Sequence, residues 1–332
     1  METWQVSSID MGLRKRAALL SLIVSVIVFS TKLFAYHLTL STAILSDALE
    51  SIVNILAALV ALVVIRYVSV PADKEHPYGH GKVEYFSAAF EGGLIVFAAL
   101  MIAFQGVMAL LRGQVLNQLG NGLILVVTAT MLNFGLSLYL KKIAHAQKSD
   151  ALAASGAHVM SDVMTTGGIV LGLGLVMITG WNWLDPLLAI GVSFHLVWEG
   201  VKIVRRSVAG LIDEVDVSSL RSLSESFSRN RREGIINIHN LKTIRSGSFH
   251  HVDAHLVVPE FWDIATVHGI TQEFELAVVK DYPFDGEIAF HLDPCLKKYC
   301  QMCELGSCPI RVENFVKVQN FVPEELINGP GE

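Results

Sequence analysis

The sequence predicts a multi-pass α-helical membrane protein with six transmembrane helices and a C-terminal cytoplasmic α+β domain of ferredoxin-like type. Three observations predict it. Of the 332 residues, 52% are hydrophobic and only 17% charged, where soluble domains carry about a quarter charged residues, and the mean hydropathy is +0.50. Long apolar runs fill the chain to about residue 210 and stop there. Beyond Asp213 the composition is that of a soluble domain. The expected organisation is a membrane domain over 1–210, a soluble domain over 211–294 and a cysteine-rich extension over 295–332. The net charge of -6 comes without the basic patch that nucleic-acid binding requires.

Six segments are long enough to span ~30 Å of hydrocarbon, at 17–36, 39–65, 84–111, 122–140, 151–178 and 186–204. They lack the period-two alternation of a barrel strand, so their backbone groups must be satisfied within helices. The first run follows Arg14-Lys15-Arg16 and lacks a small-residue cleavage site, so it reads as a membrane helix rather than a signal. Lys and Arg concentrate before the first helix, in the second and fourth loops (Arg66, Lys74, Lys82; Lys141, Lys142, Lys148) and after the sixth helix (Lys202, Arg205, Arg206). The opposite loops hold Arg112 and little else. This asymmetry predicts both termini in the cytoplasm.

In the soluble part, 217–229 suits a helix, 235–246 and 249–258 suit strands joined by a turn at Ser246-Gly247-Ser248, 263–281 suits an amphipathic helix and 286–292 a third strand. Val252, Ala254, Leu256 and Val258 fall on one face of the second strand, and His251, Asp253 and His255 on the other.

Ionisable residues inside membrane spans are costly and mark functional sites. The second helix carries Asp47, Glu50 and Asn54, and the fifth His158 and Asp162. Glu50 and Asn54 are four apart, as are His158 and Asp162, so each pair shares a helical face. Opposed, the two faces offer two carboxylates, an imidazole and an amide oxygen, a set suited to tetrahedral Zn²⁺, with Fe²⁺, Co²⁺ and Cd²⁺ as alternatives. Asp47 sits nearer the outer end and is a further candidate, with a helix-end or interhelical role as the alternative. Lys32, Glu91, His195 and Glu199 stand singly and read as helix-pairing or snorkelling residues. In the second loop Asp73, His76 and His80 can meet around one ion, and so can the side chains of an ordinary solvated loop.

These residues resemble the cation diffusion facilitator family of divalent-metal/proton antiporters. The resemblance rests on the six spans, the Pro71-Ala72-Asp73…His76-Pro77-Tyr78-Gly79-His80-Gly81-Lys82 loop, His158-x-x-x-Asp162 and the ending His291-Leu292-Asp293-Pro294. It implies a homodimer in a lipid bilayer, here a bacterial inner membrane, with a metallochaperone-like cytoplasmic domain and alternating access. The transport site it implies is Glu50, Asn54, His158 and Asp162. It further implies a metal site at Asp73, His76 and His80 near the dimer interface, and a cytoplasmic site between protomers from His239, His255, His268, His291 and Asp293, with His250 and His251 as additional candidates. Lys82 and Asp213 resemble the ion pair that ties the loop to the cytoplasmic domain. The chain departs from zinc-transporting members, which carry Asp or His at both second-helix positions. Asn54 cannot ionise, so the site holds about two negative charges rather than three.

Cys295-x4-Cys300-x2-Cys303-x4-Cys308 contains every cysteine of the chain and lies outside the family's common core. The central C-x2-C is a zinc spacing, and disulfides are disfavoured in cytoplasm. A Cys₄ metal site, with structural Zn²⁺ or an iron–sulfur cluster, stands against unligated thiols and redox sensing. The expected function is proton-coupled efflux of a divalent transition metal, with metal ions and protons as partners and no catalytic cofactor. The alternative is a membrane metal sensor or scaffold with weak transport. An intramembrane protease is excluded by the lack of a His-Glu-x-x-His helix.

Overall fold

The computed structural model describes residues 11–68, 70–113, 116–147, 150–247 and 249–328. Lys148 and Ser248, which the sequence places in the fourth loop and the hairpin turn, lie outside them. The chain divides into two compact units, one of residues 1–67 and 85–208, the other of 68–84 and 209–332.

The first unit holds α1 (Met11–Thr39), α2 (Thr42–Val68), α3 (Val83–Arg112), α4 (Leu119–Gln147), α5 (Asp150–Thr179) and α6 (Leu184–Leu211). All six contain segments long and apolar enough to cross a membrane. Several helices run beyond their apolar segments. α1 begins at Met11 rather than 17, and α6 ends at Leu211 rather than 204, because helical hydrogen bonds continue where the hydrocarbon pattern stops. Phe97, Phe104, Leu171, Phe194 and Trp198 are exposed, as lipid-facing side chains must be.

Local chemistry sets the joints between these helices. Leu40 takes a left-handed φ of 56° and separates α1 from α2. The start of α2 is then capped from α6. The carboxylate of Asp185 accepts the backbone N–H of Thr42 at 2.8 Å and of Ala43 at 3.3 Å, together with the hydroxyl protons of Ser41 and Thr42. A buried acid at a helix N-terminus satisfies orphan donors and meets the positive end of the dipole. α3 and α6 approach closely at Gly92 and Gly200. A Cβ on either would stand 2.9 Å from the other's carbonyl oxygen, which is the small-residue packing of membrane helices.

The second unit runs α7 (Val217–Asn230), β1 (Asn237–Ser246), β2 (Phe249–Val258), α8 (Ile264–Asp281), β3 (Asp285–Pro294) and α9 (Pro323–Ile327). The sheet order is β1-β2-β3, with β1–β2 antiparallel and β2–β3 parallel. The parallel pair needs a crossover, which α8 supplies. Leu223, Phe227, Val252, Leu256, Phe274 and Val278 form the core between the helices and one sheet face. The opposite face is covered near its end by the cysteine-rich segment, where Tyr299, Cys303 and Leu305 pack on Ile236 and Val257. The structure thus adds the loop 68–84 to the soluble unit and docks the extension on the sheet.

His250 belongs to the core. It is 2% exposed, its Nδ1 lies 2.8 Å from the Tyr282 hydroxyl, and its ring stacks on Phe284 at 4.5 Å. Burial first, then the neighbouring Arg245, pulls its imidazole down to about 4. An unfolded histidine titrates near ~6.5, so between these values only the unfolded chain takes the proton. The stability this represents is fully present above about pH 6.5 and declines as pH falls toward 4, by roughly 2 kcal/mol at pH 5. Hydrogen-exchange protection of β2 and α8 should fall between pH 7 and 5 after correction for intrinsic rates. His250→Gln should flatten that fall, and an unchanged slope would contradict the assignment.

Candidate metal-transport site and soluble-unit ligand clusters

In the first unit the pairs on α2 and α5 meet. His158 Nε2 lies 2.8 Å from Asn54 Oδ1, and Asn54 Nδ2 donates to Asp162 Oδ2. His158 Nε2 is 3.9 Å from Asp162 Oδ1 and 4.0 Å from Glu91 Oε1. Glu50 stands one turn before Asn54, within electrostatic reach of Asp162 and Asp47. Glu50 Oε2 and Asp162 Oδ1 are buried without a hydrogen-bond partner. Two orphan carboxylate oxygens in such a place call for a cation or protons. The Asn54 amide bridges the imidazole and the carboxylate, so an ion bound by His158 and Asp162 has to take over both of those links.

Asp47 is drawn into a different arrangement. Its Oδ1 lies 2.8 Å from Lys32 Nζ and accepts from Thr166 Oγ1 at 2.6 Å. The two charged side chains are 1% and 0% exposed. Lys32, which stands singly in the sequence, therefore has its partner on another helix. Glu91, also single in the sequence, likewise pairs with another helix, α3 reaching His158 on α5.

Among the described residues, two groups bring three ligand atoms within 4.8 Å of one another: Asp73, His76 and His80, and His239, His255 and Asp293. Both lie in the second unit. In the loop, Asp73 Oδ1 accepts the N–H groups of Glu75 and His76 at 2.9 and 2.6 Å. The His76 N–H, foremost, holds this carboxyl below its ordinary range. The same oxygen is 3.2 Å from His76 Nδ1, and Asp73 Oδ2 is 3.6 Å from His80 Nε2. The loop is fastened to the sheet domain by Gly81, whose N–H donates to Ser246 Oγ at 3.1 Å. A Cβ at Gly81 would fall 2.1 Å from the Ser246 carbonyl carbon, so only glycine permits that approach. Lys82 Nζ meets Asp213 Oδ2 at 2.8 Å.

The sheet builds the other cluster by register. His239 pairs with His255 across β1–β2, and His255 with His291 across β2–β3. Asp293 Oδ2 lies 2.9 Å from His255 Nδ1 and 3.2 Å from His239 Nε2. His291 is 3.6 Å from Asp293 Oδ1 and exposed. Burial, ahead of the opposing pull of Asp293, lowers the His239 pKa, which keeps its ring neutral and able to ligate. Asn240, at a left-handed φ of 50° beside a register shift, hydrogen-bonds His255 Nε2 at 3.0 Å. That contact fixes the orientation of the His255 ring. The structure does not bring His268 into this cluster: it is exposed on α8. His251 pairs with Glu287 at 2.8 Å. The four cysteines are free and line one cavity.

Six membrane-crossing helices holding a buried carboxylate, imidazole and amide cluster, with a sheet domain carrying a second histidine cluster, define a multi-pass membrane carrier for cations. Residues 18–212 match the cation efflux transmembrane domain, and residues 213–295 the cytoplasmic domain of cation efflux proteins. The chain is 36% identical to an uncharacterized transporter of Synechocystis over 83% of its own length and 89% of that protein's. It is 29% identical to the cation-efflux pump FieF of Citrobacter koseri, over 84% and 92% of the two chains, and equally so to FieF of Klebsiella pneumoniae. The chain belongs to the cation diffusion facilitator family of cation efflux transporters.

Proposed function

We propose that this chain expels a divalent transition metal from the cytoplasm in exchange for protons. Zn²⁺ is the first candidate, with Fe²⁺, Co²⁺ and Cd²⁺ behind it. The observation that carries the reading is the pair of buried, unpartnered oxygens, Glu50 Oε2 and Asp162 Oδ1, beside His158 and Asn54. Cation and proton are alternative occupants of the same lone pairs. Histidine is the side chain whose charge changes around neutral pH, so a site combining it with carboxylates exchanges one occupant for the other as the facing compartment changes. The protein acts as a homodimer in a bacterial inner membrane with both termini cytoplasmic. The His239, His255 and Asp293 cluster, with His291 and His268, forms a cytoplasmic site between protomers that binds metal as its concentration rises and biases the transport cycle. Asp73, His76 and His80 form a further ion site, and Lys82 with Asp213 holds that loop in place.

Proteoliposomes test the reading. Zn²⁺ flux should appear with an acidic compartment opposite the metal and fall several-fold when the pH gradient is collapsed. Metal binding without flux in either condition would favour the sensor reading instead.

A further inference from the structure

The strongest unused feature of the molecule is the segment after β3. From residue 295 to 322 it has no regular structure beyond a single 3₁₀ turn, Lys297–Tyr299, yet Tyr299, Cys303 and Leu305 are buried by it. A packed stretch this short on secondary structure needs a staple. All four cysteines are free, and together they line one cavity of about 570 Å³.

Three separate devices put them there. Cys295 is fixed at the end of the sheet by its N–H bond to the Val258 carbonyl at 2.8 Å. Cys300 and Cys303 sit on the 3₁₀ turn and the turn after it, with N–H bonds to the carbonyls of Lys297 and Tyr299 at 3.1 Å each. Residues i and i+3 stand on one side of such a turn. Cys308 is brought back by Arg311, whose guanidinium donates to the carbonyls of Cys300 and Cys303 at 2.9 Å and of Leu305 at 2.7 Å. Separately fastened pieces of chain thus deliver all the protein's thiols to one cavity, whose wall also carries Lys297 and Arg311. Those two cations, set against Glu260 on the same wall, offset part of the negative charge of a thiolate cage.

We propose that Cys295, Cys300, Cys303 and Cys308 form a tetrahedral thiolate site for a soft divalent cation of the Zn²⁺ class, which staples the C-terminal extension to the open face of the sheet. The site lies outside both matched domains but for Cys295, and stands whether or not the membrane site carries the same metal. Each thiol gives its proton to solvent as its sulfur bonds the ion, with no change of oxidation state. Sulfur donors select Zn²⁺ or Cd²⁺ over Mg²⁺, Ca²⁺ and Mn²⁺. Tetrahedral binding at ~2.3 Å sets sulfurs about 3.8 Å apart. No three of them lie mutually within 4.8 Å here, so side-chain rotation into the cavity accompanies binding.

Cobalt reports the site directly, because these four are the only cysteines in the chain. Full-length protein, purified anaerobically in detergent and stripped of metal, is titrated with Co²⁺. Thiolate-to-cobalt charge-transfer absorption should saturate at about one ion per chain with the intensity of four thiolates, and Zn²⁺ should bleach it. Asp162→Ala combined with His255→Ala should keep the band, and Cys303→Ser with Cys308→Ser should lose it. The wild-type titration is decisive even if the last variant misfolds. No charge-transfer band, a band worth fewer than three thiolates, or four thiols that react freely with a thiol reagent in the presence of Zn²⁺ would overturn the proposal.

Discussion

Asp162→Ala should lower metal flux by at least about 100-fold while leaving a folded protein. The carboxylate is 2% exposed; one oxygen takes the Asn54 amide and the other has no donor. Removing it deletes a negative charge where little solvent can replace it. The structural cost is modest, since the change orphans one amide donor at about 1–3 kcal/mol and relieves the crowding of Asp162 against Glu50. Helical content and elution volume should match the wild type, and flux within a few-fold of wild type would remove Asp162 from the site. Asn54→Asp moves the same site in the other direction. A third carboxylate beside Glu50 and Asp162 raises zinc affinity several-fold, and three adjacent acids cannot all ionise when empty, so the pH midpoint of transport should rise.

Lys32→Met should lower the thermal midpoint of the detergent-solubilised protein by roughly 10 °C. It removes one member of a buried ion pair and leaves Asp47 with Thr166 alone, a change that costs about 3–5 kcal/mol. Lys32→Met combined with Asp47→Asn removes both charges and should recover most of the loss. This double variant also decides the role of Asp47. If the pair is structural, the double variant regains stability and keeps metal binding. If Asp47 is a metal ligand, Asp47→Asn abolishes binding and Lys32→Met does not restore it.

The membrane helices and the polar pairs that meet between α2 and α5 were legible because apolar runs have one dominant cause, and an ionisable pair four residues apart inside such a run has few others. His158-x-x-x-Asp162 announced itself in that way. What escaped was non-local. Glu91 and Lys32 are each alone on their helix, and their partners, His158 and Asp47, are visible only once helices pack. Asn240 gave a faint signal, being an asparagine in a strand, a residue type that tolerates left-handed backbone. The docking of the cysteine segment had a clearer one. Val257 follows His251, Asp253 and His255 on the polar face of β2, and an apolar residue out of phase there marks a second packing layer. The attachment of residues 68–84 to the sheet domain was half legible: the family resemblance paired Lys82 with Asp213, whereas the Gly81 contact gave no signal, because it joins a backbone N–H to a serine 165 residues later.

That attachment makes the soluble unit discontinuous in sequence: the chain crosses between the units three times, near residues 68, 84 and 209. Severing the protein after residue 208 therefore does not liberate the soluble body. The released piece keeps its sheet but strips Asp213 of Lys82, Ser246 of the Gly81 N–H and the His251 ring of Tyr78, which meets it edge-on at 4.9 Å. Dissection by truncation would thus report on an injured body, and its metal affinity would understate that of the intact carrier wherever the loop's own Asp73, His76 and His80 take part.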